Sequence, residues 1–115
     1  MKPIEVKRGD IWFVELERMQ GDVIYGMRPA VVVSNDRTNR HAEIVTVVPL
    51  TSAKKRPLPC HVAVAGYGLE HESVALTEQI VTISKACLRW RLGTLAGTEE
   101  MRGIELALKR QMDVA

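Results

Sequence analysis

Residues 26–52 read GMRPAVVVSNDRTNRHAEIVTVVPLTS, two apolar runs joined by a polar stretch. Val and Ile dominate both runs, 30–33 and 44–50, and branching at Cβ suits them to a pleated, buried surface. Each is short and lacks helical spacing, so both are read as core strands. Arg28 stands at the mouth of the first run, and the hydroxyl pair Thr51 and Ser52 at the exit of the second. Antiparallel pairing sets the end of one strand beside the start of the other. Arg28 and Thr51 are therefore expected to meet at one rim of the sheet.

The 115 residues are read as one domain, 1–115, large enough for one compact core. A hydrophobic content of 46% excludes general disorder. The net charge of +2 is compatible with a nucleic-acid partner without being diagnostic of one. Aromatics are scarce, at 4%, which argues against an open sheet that stacks several bases on its rings. Met1 is followed by a charged stretch with no apolar run resembling a signal peptide. No apolar stretch approaches the roughly 20 residues that span a bilayer. Cys60 and Cys87 fit no metal or redox spacing and are read as free thiols, and the expected location is cytoplasmic.

Outside the central stretch, residues 1–8 are polar and read as loose. Residues 11–16 form a first strand in which Ile11, Trp12, Phe13 and Val14 are all apolar. Both of its faces must then be covered, by a closed barrel or by a second subunit. Residues 17–25 form a loop. Pro29 fixes its own φ, extends Arg28 and belongs at a strand start. By residue type alone, Arg28 also reads as an ordinary exposed arginine. Residues 34–43 suit a turn or a short helical cap. Lys54, Lys55 and Arg56 form a cationic run closed by two prolines, either a solvated loop or a phosphate-contacting one. Residues 61–65, 73–76 and 79–84 read as strands, with a polar step at Thr77, Glu78 and Gln79. That step marks a bulge, a site or the solvent side of a strand. A turn of helix near Ala86 and a short strand over 89–95 follow.

The segment 98–112 is read as a helix. Thr98 serves as N-cap, Glu99 and Glu100 sit at the positive end of the dipole, and Met101, Ile104, Leu108 and Met112 share one face.

His41, His61 and His71 lie in separate segments without ligand spacing and read as surface or loop histidines. No metal or other cofactor is expected. Phosphate-cradling glycine loops and nucleophile elbows are absent from the sequence. Metal-free phosphodiester chemistry remains open. RNA carries its own nucleophile, the 2′-hydroxyl, and a protein need only align it, remove a proton and stabilise charge on the phosphorane. A guanidinium suits the last task because it stays protonated and binds two oxygens at once.

The segments RGDIWFVEL, GMRPAVVVSND, VVPLTS and HESVALTEQIVTISKACL, in that order along nearly the whole chain, resemble the MazF/PemK family of toxin endoribonucleases. The resemblance implies a mainly β fold, an SH3-like antiparallel β-barrel with a C-terminal α-helix. It implies a homodimer that cleaves single-stranded RNA at short sequences without metal, leaving 2′,3′-cyclic phosphate and 5′-hydroxyl ends. It also implies a cognate antitoxin whose acidic, flexible tail covers the RNA groove. By position, Arg28 matches the catalytic arginine and Thr51 the catalytic threonine, with Ser52 as a phosphate contact. Glu78 matches an acidic residue that some members use near the site, and Gln79 a commonly found glutamine.

The sequence departs from the family pattern where Val23 and Ile24 replace a polar pair and where Val81 replaces a frequent arginine. These departures bear on the cleavage sequence. The rival readings are a CcdB-like gyrase inhibitor on the same fold and a catalytically degraded RNA-binding module. The aromatic-free ending QMDVA argues against the first.

Overall fold

The computed structural model describes residues 4–52 and 58–115. Along them run β1 (Asp10–Leu16), β2 (Gly26–Val32), α1 (Asp36–His41), β3 (Ile44–Ser52), β4 (His61–Val64), β5 (Ser73–Leu76), β6 (Val81–Ser84), β7 (Leu88–Thr94) and α2 (Glu99–Gln111). Single 3-10 turns occupy Thr77–Gln79 and Lys85–Cys87. The strand order is β4-β5-β3-β2-β1-β7, with β6 also pairing to β3, and every pairing is antiparallel. The architecture is the expected mainly β one with a C-terminal helix. The sheet does not close, however: among the described residues β4 and β7 end the path without pairing to each other.

Strand alternation sorts the apolar side chains into two clusters. Trp12, Val14, Leu16, Ala30, Val32, Val45 and Val47 face one way, where Val6 and Leu88 cover them. Ile11, Val31, Val48 and Leu50 face the other way, against Val64, Ala75 and the helix residues Met101 and Ile104. The first strand is thus covered on both faces within one chain. Burying an aliphatic side chain of this size contributes about 1.5–3 kcal/mol, so two clusters of this kind stabilise a short domain substantially.

The α2 helix begins as its sequence dictates. Thr98 Oγ1 accepts from the Met101 N–H at 3.2 Å. Its buried face is Met101, Ile104 and Ala107. Met112 is not part of that face. It is the C-cap and is 59% exposed. Gly103 lets the helix lie close to β4, where an added Cβ would stand 3.3 Å from Val62 Cγ1.

Val6 and Arg8 are also more fixed than the polarity of their segment implies. Val6 is buried in the first cluster, Arg8 Nε donates to Val33 O at 3.1 Å, and Arg8 pairs with Glu105 of α2 at 2.9 Å.

Three boundaries matter for the site. β2 starts at Gly26, not residue 30, so Arg28 and Pro29 lie inside the strand. Pro29 is tolerated because β3 pairs with β2 only from Ala30 onward, which leaves one edge of β2 open there. β3 runs on to Ser52 and changes partner along its other edge, from β6 (Ile44–Val47) to β5 (Leu50–Ser52). The polar step Thr77–Gln79 is the 3-10 turn that makes this change. Thr77 is fully buried within it and donates to Cys60 O at 2.6 Å.

Candidate active site

The site forms where β2 and β3 part. Their last paired residues are Ala30 and Pro49. Continuing that register by two places sets Arg28 opposite Thr51 on one face of the sheet. Prolines at 29 and 49 remove two ladder donors at this point. Across the gap, Arg28 Nη1 donates to Thr51 Oγ1 at 3.3 Å, and Arg28 Nε donates to Tyr25 O at 2.9 Å. Among the described residues, these bonds hold the half-buried guanidinium and leave its remaining N–H groups, all of Nη2 among them, for an anion. Since Thr51 Oγ1 accepts from Arg28, its own proton is free to donate to a phosphate oxygen.

Both residues line a cleft of about 280 Å³. Ser52 stands beside them, paired across the sheet with Ser73 at the start of β5. Glu70 and His71 reach the same cleft from the loop before β5. One wall is apolar: Phe13 and Trp90 stack with ring centroids 4.8 Å apart, beside Met27, Pro29 and Leu92. Trp90 is 54% exposed. A cation, hydroxyls and an aromatic surface together suit a strand of nucleic acid, whose phosphate meets the first two and whose bases stack on the third.

The other expected site residues fall elsewhere. Glu78 does not line this cleft. Its two carboxylate oxygens lie 3.1 and 3.0 Å from His61 Nε2. His61 Nδ1 accepts from the Leu58 N–H at 3.0 Å, so the ring proton resides on Nε2 and points at Glu78. Gln79 ties down the loop between β1 and β2: its Oε1 accepts from the Ile24 N–H at 2.7 Å and its Nε2 donates to Asp22 O at 2.9 Å. Lys54, Lys55 and Arg56 lie outside the described residues. The aliphatic departures share a second hollow of about 650 Å³, where Ile24 and Val81 pack against the first core cluster and Val23 lines the rim. There Ile24 and Val81 extend the core, while Val23 stays exposed.

Cys60, His61 and Glu78 bring ligand-type atoms within 4.8 Å of one another, a grouping that spacing along the chain does not reveal. A metal at Nε2 would displace the proton shared with Glu78 and force one onto Nδ1, which breaks the Leu58 bond. With both ring nitrogens occupied, His61 is also unable to take a proton from the Cys60 thiol. The trio is therefore read as a brace where the chain re-enters the sheet at β4. Both Cys60 and Cys87 are free thiols.

Residues 7–112 match the family model described as a PemK-like, MazF-like toxin of a type II toxin–antitoxin system. Endoribonuclease EndoA of Bacillus subtilis is 38% identical over 107 residues, covering 90% of this chain and 91% of the relative. A mycobacterial endoribonuclease, solved in complex with its cognate antitoxin, superposes with a TM-score of 0.75 at 27% identity and 96% coverage of each chain. MazF from Deinococcus radiodurans superposes with a TM-score of 0.84, covering 97% of this chain and 100% of the other; at 18% identity this likeness concerns the fold. The extent of the family match, which takes in every strand and both helices, places the chain in the PemK-like, MazF-like toxin family of type II toxin–antitoxin systems.

Proposed function

We propose that this MazF/PemK-type toxin, an endoribonuclease acting as one domain over 1–115, cuts single-stranded RNA at short sequences without a metal ion. The 2′-hydroxyl of the substrate attacks the adjacent phosphorus, the 5′-oxygen departs, and the ends are a 2′,3′-cyclic phosphate and a 5′-hydroxyl. Arg28 holds the developing charge on the phosphorane oxygens, where a planar fork in a partly desolvated cleft acts most strongly. Thr51 donates its hydroxyl to a second oxygen, and Ser52 offers another at the cleft edge.

The observation that carries this reading is the Arg28–Thr51 hydrogen bond of 3.3 Å in a cleft with one aromatic wall. The kinship with EndoA, at 38% identity, supports the substrate class. By the same kinship, the expected partners are single-stranded RNA, a second copy of the chain and a cognate antitoxin with an acidic tail. The mycobacterial relative bound to its antitoxin supports the last.

Incubating the purified protein with a long single-stranded RNA in excess EDTA tests the reading. Fragments with 5′-hydroxyl ends and cyclic phosphates are expected at a recurring short sequence. Intact RNA, or cutting that stops when EDTA is added, would overturn it.

A further inference from the structure

We propose that His71 is the base that takes the proton from the attacking 2′-hydroxyl, an assignment that rests on the RNA-cleaving reading above. Arginine offers no lone pair for this task. Glu78 is turned away toward His61, and both ring nitrogens of His61 are occupied. Among the described residues, the titratable acid–base groups that line the cleft with Arg28 and Thr51 are Glu70 and His71. Imidazole is the better base near neutral pH, because its ordinary titration range lies close to the working pH. The ring of His71 is exposed, and among the described residues it has no hydrogen-bond partner.

The fold fixes the backbone on either side of this ring. The turn before it docks backbone to backbone on β7: a Cβ on Gly68 would fall 2.1 Å from Leu92 O, and one on Gly93 would fall 2.2 Å from Tyr67 O. After it, Ser73 Oγ donates to His71 O at 3.0 Å. Ser73 then pairs with Ser52, the neighbour of Thr51. Strand β3 lies between β2 and β5, so Arg28 and His71 line the cleft from opposite sides of β3.

In the step, the imidazole lone pair takes the 2′-O–H proton as the O2′–P bond forms. The P–O5′ bond breaks, its electron pair stays on O5′, and water protonates that oxygen. The imidazolium then returns its proton to solvent, so the cleavage is proton-neutral overall.

Single-turnover cleavage of one defined RNA, followed between about pH 5 and 8, tests the assignment. The wild-type rate is expected to rise with pH and level off. His71→Gln should lower it by roughly 10²–10⁴-fold and remove the rising limb, whereas Glu70→Gln should keep the limb. A substrate with bridging sulfur at the 5′ position needs no acid for its leaving group, and the His71→Gln loss should persist on it in full. Binding of a 2′-deoxy, uncleavable oligonucleotide should stay within a few-fold, which separates proton transfer from a folding defect. An active wild type whose His71→Gln variant keeps both rate and limb overturns the assignment. So does a loss that disappears on the sulfur substrate, which would make His71 the acid. Wild-type protein that leaves RNA intact overturns the proposed activity itself, a distinct result.

Discussion

Arg28 and Thr51 lie in cross-strand register two places beyond the last ladder pair, joined by a hydrogen bond of 3.3 Å where the ladder itself has ended. Their side chains thus share a gap that no backbone bond fills, and a phosphate can enter it. Arg28→Lys keeps the charge but loses the fork and the bond to Tyr25 O, and it should cost roughly 10²–10³ in kcat. Thr51→Ser should keep most activity, whereas Thr51→Val, equal in shape, should lose it. Residues acting on one phosphate are not additive, so Arg28→Lys with Thr51→Val should fall little below the worse single variant. Single-turnover rates on one oligonucleotide check all of these.

A second expectation concerns Gln79, which holds a loop. Gln79→Leu leaves the Ile24 N–H and the Asp22 carbonyl without their partners. Stranding a partly buried polar group costs about 1–3 kcal/mol. Amide exchange at Ile24 should quicken by roughly ten- to a hundred-fold, since each 1.4 kcal/mol is a decade. Gln79→Glu keeps the acceptor for Ile24 and loses only the donor to Asp22, so its effect should fall between the two. Exchange unchanged in both variants would show that the loop is held by its apolar contacts instead.

The meeting of Arg28 with Thr51 was legible because strand alternation and antiparallel register are local rules, and both runs are strongly β-branched. The length of β2 was not. A proline ends a strand only where both edges are paired, and which edge is open at Pro29 depends on where β3 begins to pair. The place of the Glu78 side chain was not legible for a similar reason. In a 3-10 turn the residues no longer alternate across a sheet, and Glu78 points to His61 at the start of β4. His71 carried no spacing signal at all. Its place in the cleft comes from a docking of Gly68 on Leu92, a contact between distant segments. Nothing in the sequence marks Leu92 on β7 as the partner of that turn. Met112 kept helical spacing yet lies beyond the surface that α2 covers.

That docking gives a third expectation. Gly93→Ala puts a methyl 2.2 Å from the Tyr67 carbonyl oxygen, against backbone that has no rotamer to change. Overpacking of this kind costs about 1–3 kcal/mol, read as a lower denaturant midpoint. Its second consequence is on the loop that carries Glu70 and His71, so cleavage should drop by more than the lost folded fraction explains. Gly21→Ala is the contrast. Its φ of +78° also disfavours a side chain, yet nothing lies within 4 Å of the added Cβ. It should lose stability through backbone strain alone, about 1 kcal/mol, and keep the cleft intact.

Asp36 sets a pH dependence of stability. Its Oδ1 accepts from the Arg8 N–H at 2.6 Å, which joins the start of α1 to the N-terminal segment. This backbone bond, with smaller help from Asn39, Arg40 and Lys7, holds the carboxyl below its ordinary value of 3.8 in spite of some desolvation. A carboxyl depressed by folding binds protons more readily in the unfolded chain. Its contribution is therefore complete above the unfolded value and is lost as the pH falls through the lower folded one. Asp36→Asn removes the charge and keeps an acceptor oxygen. Wild type should be the more stable protein at pH 6, and the gap should narrow as the pH drops below 3.8 and on through the lower folded value, beneath which both chains carry a neutral side chain. Because Asp36 is exposed, solvent screening keeps the gap small, and added salt should shrink it further. Paired urea titrations at pH 6 and pH 3 read it directly. A gap of equal size at both would assign the effect to hydrogen-bond geometry, not to charge.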